Sequence, residues 1–546
     1  MKSLHADQKC RVDTLQKQTL SISEGLCKLS TFAFPIVTTA LIQVSQSMTT
    51  LAFIGRLDSA TYLGAVTLGN MVCNVTGFSL SLGMLTALDT LVAQAYGAKM
   101  YSLMGLHTQR AIVIVTLFTI PVIIIWTYTG EFLYYVLGID YETGMLAGQW
   151  SKYIRYGIWP SLVFEIFRKF LQGQQIVWPV VVSALCSTVL NGTLNSFLVR
   201  NYHLGIHGPA MALVTSQWSS VLILVSIIAA RKCVLRMRGS AAAVAYSHVS
   251  SIDESVGVDG KLPESEGSSV SPAVDVEEAD PEDNWPSLSV NIFRDWGPFL
   301  SLGVPGAFSL MLEWGSYETI ASIAGRLGAV SLATHGIFMS TASFFYRFPV
   351  AISIASAILI GNRLGDNDAE GAKFFMKLGI WVDFAWGICA GGVLVLVLRP
   401  YWGRLYTDVE DVRMMVSACL PIMMFYITVD STKCITLNVL RSTGRPGVTV
   451  IGNVVACLCV MLPLGYYLAL RMGYGLVGLW FAMSMTWVMA TFGYLYVVVF
   501  TDWQQQADLA RERNHHSLLH ANTTRHAEAP EKRFAKKSVE LINTKV

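Results

Sequence analysis

The chain has 546 residues, 53% of them hydrophobic and only 14% charged. A soluble domain is about a quarter charged, so the composition excludes a disordered chain, a disulfide scaffold and an ordinary cytosolic enzyme, and points to a polytopic membrane protein. The net charge of +2 leaves no global footprint for nucleic acid, and no such partner is expected.

Residues 1–28 are polar and charged, with none of the short apolar core of a cleavable leader, and are read as a tail. Six apolar stretches follow, near 29–54, 62–87, 111–137, 149–171, 176–199 and 208–230. Each is long enough for the ~20 residues a membrane helix needs. They make a first lobe, 29–230. Residues 231–296 are a linker, acid- and Ser-rich from Gly239 to Pro286 with Lys261 its only base there, and read as a disordered tether. Six more stretches, near 297–325, 329–361, 374–398, 412–440, 447–470 and 475–500, make a second lobe, 297–500. The tail 501–546 is polar, with a basic cluster at Lys532, Arg533, Lys536 and Lys537, and is expected to be solvated. The runs are too long for strands and do not alternate with period two, which excludes a β-barrel.

Lys and Arg near the ends of spans set orientation. With the N-terminus in the cytoplasm, Lys99, Arg110, Arg168, Lys169, Arg231, Lys232, Arg363, Lys373, Arg441 and Arg445 all fall inside, while 130–150 opposite has no Lys or Arg. Twelve spans then place both termini in the cytoplasm, in a plasma or organelle membrane. The ten cysteines are scattered, mostly within spans, and structural disulfides are not expected. His203 and His207 are four apart in a short outer loop, and no metal site is expected there.

Residues repeat at an offset of 270: Pro35 with Pro305, Gly55-Arg56-Leu57 with Gly325-Arg326-Leu327, Gly205 and Gly208 with Gly475 and Gly478. Six helices return the chain to its starting side, so the two lobes share one orientation. The fold predicted is all-α, twelve transmembrane helices in two six-helix lobes related by a parallel pseudo-two-fold repeat. That is a transporter architecture, with the solute between the lobes.

An intramembrane charge costs roughly 2.5–3.5 kcal/mol and needs a reason. Glu313 and Glu318 lie mid-way along the seventh stretch, where the first lobe has Gln43 and Met48. Five residues apart, they point about 140° from each other on a helix. Tyr317 shares the face of Glu313. Asp430 lies in the tenth stretch with Lys433 one turn on, a partner able to neutralise it. Asp383 reads as structural, Glu165 as paired with Arg168, and Arg347, just before Phe348-Pro349, as snorkelling or paired. A desolvated carboxyl holds a proton more readily, and a cation beside it favours release, so Glu313, Glu318 and Asp430 are candidate proton or cation sites. No G-x-x-x-x-G-K-[ST] segment is present, which leaves an ion gradient to drive uphill transport.

Gly83-Met84-Leu85-Thr86-Ala87-Leu88-Asp89-Thr90-Leu91-Val92-Ala93-Gln94-Ala95-Tyr96-Gly97-Ala98, Gln109-Arg110, Phe170-Leu171-Gln172-Gly173-Gln174, Glu313-Trp314 with Tyr317-Glu318, Gly361-Asn362-Arg363-Leu364-Gly365 and Val439-Leu440-Arg441-Ser442-Thr443-Gly444 occur in this order. Together they resemble the multidrug and toxic compound extrusion (MATE) family in its eukaryotic form, over residues 30–500. The resemblance implies export of organic solutes, cationic or amphipathic, against inward protons. It implies Glu313, Glu318 and Asp430 as coupling acids and Trp314, Tyr317, Asn74, Tyr346 and Gln43 as solute-binding residues. It also implies no enzymatic activity and no cofactor beyond the proton, with sodium as the alternative ion. A monomer in contact with membrane lipid is expected. A flippase for lipid or oligosaccharide, or an exporter of organic acids, is the alternative on the same fold.

Overall fold

The computed structural model of the protein describes residues 21–57, 60–202, 204–253 and 290–519. Among the described residues there is no strand. Twelve long helices run in order: α1 (Ile22–Ile54), α2 (Thr61–Gly97), α3 (Tyr101–Thr127), α4 (Tyr141–Gly173), α5 (Trp178–Asn201), α6 (His207–Arg231), α7 (Gly297–Arg326), α8 (Ala329–Gly365), α9 (Ala369–Leu405), α10 (Glu410–Ser442), α11 (Pro446–Arg471) and α12 (Gly475–Val499). Ten of them are apolar enough throughout to rank as membrane spans on composition alone. The other two, α4 and α7, are the helices that carry Glu165 with Arg168 and Glu313 with Glu318. A thirteenth helix, α13, covers 503–519.

Local chemistry explains where the ends differ from expectation. α1 begins ahead of residue 29 because Ser21 and Glu24 form a capping box. The Ser21 hydroxyl accepts from the Glu24 N–H at 3.2 Å, and the Glu24 carboxylate accepts from the Ser21 N–H at 2.9 Å. The helical backbone of α6 runs on to Asp253, into the segment read as a disordered tether. Residues 254–289, the N-terminal tail before 21, His203 and the basic cluster at 532–537 lie outside the described residues. The end of the supposed linker is docked: Val290–Phe293 forms a helical turn, and Arg110 donates to the Asn291 carbonyl and the Asp295 carboxylate, both at 3.3 Å. The eight cysteines whose side chains are described are free thiols.

The tail is not wholly solvated. Trp503, Gln506, Ala507, Ala510, Asn514 and Ser517 form one buried stripe along α13, at the three- and four-residue spacing of a helix face. Charged residues between them hide that stripe from a composition count.

α1–α6 and α7–α12 make two lobes, each with its own core, and the lobes interlock: the start of α1 joins the second core through Leu29, Phe32 and Ile36, and the start of α7 joins the first through Phe299, Leu302 and Ala307. The lobes meet at the end of the bundle where the termini lie. There glycines let backbones touch: a Cβ on Gly83 would stand 2.5 Å from the Gly306 carbonyl oxygen, and one on Gly365 2.1 Å from that of Gln94. Thr90 donates to the Arg441 carbonyl at 2.5 Å, and Gln94 to that of Ser442 at 2.9 Å. Gly336, Arg347 and Gly365 lie within about 20° on one face of α8. Gly365 touches α2, whereas Gly336 is exposed and a Cβ there would meet nothing within 4 Å.

The closed seam makes a test. A Cβ at Gly97 would sit 1.9 Å from the Asn362 carbonyl oxygen. Gly97→Ala is expected to destabilise the closed form by about 1–3 kcal/mol, the usual cost of overpacking. A lowered melting temperature with increased labelling from the terminal side checks this, and an unchanged protein contradicts the seam.

Candidate functional site

α7 turns Ser309, Glu313, Ser316 and Ile320 inward as one buried face. The same helix carries Glu318 round to a half-buried position, where it forms no ion pair among the described residues. The 140° expected from the spacing therefore separates the two acids in space. Trp314 lies about 100° around the helix from Glu313.

Opposite Glu313, α10 presents Asp430 and Lys433. The Lys433 ammonium is 2.8 Å from Glu313 Oε1 and 3.0 Å from Asp430 Oδ1. It meets hydrogen-bond geometry only toward Glu313, and its hold on Asp430 is ionic. The side chain is only 2% exposed. Its third contact is aromatic: Nζ lies 3.9 Å above the Trp487 ring of α12, and a ring face attracts a desolvated cation. A buried ammonium needs such partners, because removing an ion from water costs several kcal/mol.

Tyrosines wall the triad. The hydroxyls of Tyr317 and Tyr426 lie 3.4 Å apart, Tyr317 packs edge-on to Trp487, and Tyr426 packs on Trp480. Tyr346 of α8 takes a weak hydrogen bond from Cys434 at 3.7 Å, on the helix that carries Lys433. Asp383 of α9 is fully buried and accepts from Ser353 of α8 at 2.8 Å, which ties two helices together.

Of the residues singled out by sequence, Glu313, Asp430, Tyr317 and Tyr346 gather with Lys433. Glu318 and Trp314 do not join them, and Asn74 and Gln43 lie in the other lobe. Asn74 opens a π-helical turn, Asn74–Phe78, in α2, a feature common at functional sites. Beside that turn, Gly77 lies under Trp126, whose indole donates to Thr76 at 3.0 Å. In the first lobe Arg168 pairs with Glu165, Lys169 with Asp89 and Lys152 with Glu131. Trp487 and Tyr426 were not legible as site residues, because an aromatic within an apolar helix gives no separate signal.

The profile of the MatE family matches residues 35–197 and 305–467, two stretches whose starts are 270 apart (305 − 35). The chain belongs to the MATE family. It is 30% identical to Protein DETOXIFICATION 16 of Arabidopsis thaliana, over 90% of this chain and 92% of that one. It is 28% identical to Multidrug and toxin extrusion protein 2 of Oryctolagus cuniculus, over 84% of this chain and 68% of the relative. In fold it is similar to the crystal structure of the eukaryotic MATE transporter AtDTX14, with a TM-score of 0.76 and 23% identity over 90% of this chain and 99% of that chain. The bent form of the Vibrio cholerae MATE transporter VcmN aligns with a TM-score of 0.69 and 14% identity, over 90% of this chain and 98% of that one. This MATE protein is therefore a multi-pass membrane transporter of the multidrug and toxin extrusion type, and not an enzyme.

Proposed function

We propose that the protein exports organic solutes, cationic or amphipathic, in exchange for protons, with Glu313 as the principal coupling acid and Asp430 supporting it. The single observation that carries this is the charge of the buried triad. One ammonium, within 3.0 Å of each of two carboxylates, leaves one negative charge. One proton or one monovalent cation cancels it, and both together would leave an unpaired positive charge in a buried place. Mutual exclusion of that kind is what exchange requires.

In this reading the end away from the termini faces outside, and the terminal side faces the cytoplasm. Basic residues at the terminal side, Arg363, Arg441 and Arg445 among them, support that orientation. A proton arriving from outside neutralises Glu313, loosens its hold on Lys433 and lowers the affinity for the positive end of the cargo. Release follows, and the lobes rock about the seam to reload. Lys433 thereby keeps the site from binding two cations at once. Glu318, half-buried and apart from the triad, has a lesser part.

Glu313→Gln removes the titrating group and keeps its size. In vesicles with an imposed pH gradient, exchange of tetraethylammonium is expected to fall at least tenfold. Undiminished exchange refutes the role of Glu313. Exchange driven equally by an imposed sodium gradient assigns sodium to the same acids.

A further inference from the structure

We infer that Arg347 anchors an anionic group of the cargo, so that the solutes taken include amphipathic molecules bearing a carboxylate or sulfonate beside organic cations. This rests on the exchange reading above and specifies its substrate class.

Arg347 sits at the middle of α8. At 1.5 Å per residue it is about 27 Å from Gly365 at the helix end, too far for its side chain to reach the interface. It shares its face with Gly365, which touches α2, and with Gly336, which meets open space. Arg347 therefore stands between the closed seam at Gly365 and the exposed part of the same face at Gly336. It forms no ion pair among the described residues, and its buried Nε has no hydrogen-bond acceptor. Across the lobes it faces another cation, Arg168 of α4, which is already paired with Glu165. The other intramembrane cation of the second lobe, Lys433, is matched by two acids. Arg347, unlike Lys433, is left uncompensated, and an intramembrane charge without a protein partner calls for a ligand.

Guanidinium chemistry names the ligand. Its planar fork matches two oxygens of one carboxylate or sulfonate. Phe344, one turn earlier, is 41% exposed and offers an aromatic surface on the same side of the helix. Phe348 is stacked on Trp386 with ring centroids 4.4 Å apart, which fixes the backbone on the other flank. The pattern fits an aromatic carboxylate.

Equilibrium binding to the purified full chain in lipid nanodiscs tests this without any gradient. The probes are radiolabelled p-aminohippurate, an aromatic carboxylate, and tetraethylammonium. The native protein is expected to bind p-aminohippurate saturably. Arg347→Gln is expected to weaken that binding at least tenfold and to leave tetraethylammonium binding equal or stronger. Arg347→Lys keeps the charge without the fork and is expected to fall between; it also serves if the Gln variant fails to fold. Native-like binding of p-aminohippurate by Arg347→Gln, or no saturable binding by the native chain, overturns the anchor. A native protein that binds the carboxylate through Arg347 and exchanges nothing against protons refutes the exchange reading and leaves the anchor standing.

Discussion

Lys433→Met is expected to stop pH-driven exchange and to lower the stability of the fold. The substitution removes the ammonium that Glu313 and Asp430 share at 2.8 and 3.0 Å and leaves two carboxylates facing each other. Removing one partner from a buried ionic cluster costs about 3–5 kcal/mol, because the charge left behind has no compensation. With both acids ionised the site carries two negative charges, which one proton or one monovalent cation no longer cancels. The decisive comparison is the double variant Lys433→Met with Asp430→Asn. It carries one acid and no base, which restores the net single negative charge. Its melting temperature and part of its exchange are expected to recover. Equal impairment of the single and double variants would show that charge is not what Lys433 supplies.

Ending the chain at residue 502 is expected to have the second largest effect, through the closed side of the bundle. α13 crosses the seam. Asn514 donates to the Gln94 carbonyl of the first lobe at 3.2 Å, while the Arg513 guanidinium lies against Gly444 of the second. Gly444 has a φ of +77°, which a residue with a Cβ rarely adopts. Burial draws the Arg513 guanidinium below its usual pKa range, a sign of how closely it is packed. Trp503 anchors the start of the helix, with 6% exposure. Trp503→Ala alone is expected to cost about 3–5 kcal/mol, as for a buried indole. Removal of the whole helix should let the terminal side open, read as faster labelling of a cysteine introduced along α2. Unaltered melting and labelling in both variants would make α13 a bystander.

The membrane helices were legible because their signal is a property of whole segments. Twenty apolar residues read as a span whatever their order, and the 270-residue repeat fixed the two-lobe plan. The acids of the second lobe stood out for a related reason, since a charge inside a hydrophobic run is conspicuous. What could not be read was which charges meet. Glu313 and Lys433 are 120 residues apart, and no local pattern links them. The sequence suggested only that Lys433 would neutralise its neighbour Asp430. The structure gives it to Glu313 as well, and Trp487 completes its surroundings. α13 escapes a composition reading because its buried stripe is built from Ala, Gln, Asn, Ser and one Trp. Such residues carry little hydropathy, and the contacts that bury them come from both lobes.

The account stands on the claim that the triad accepts one proton or one cation, never both. The direct measurement is the balance point of exchange in proteoliposomes with the membrane potential held at zero. The pH gradient that just prevents net tetraethylammonium movement is measured against the imposed cation gradient. One proton per cation predicts that each pH unit balances about a tenfold cation ratio, since both correspond to the same 1.4 kcal/mol. A balance point that ignores pH, or one that is unaltered in Glu313→Gln, would contradict the claim.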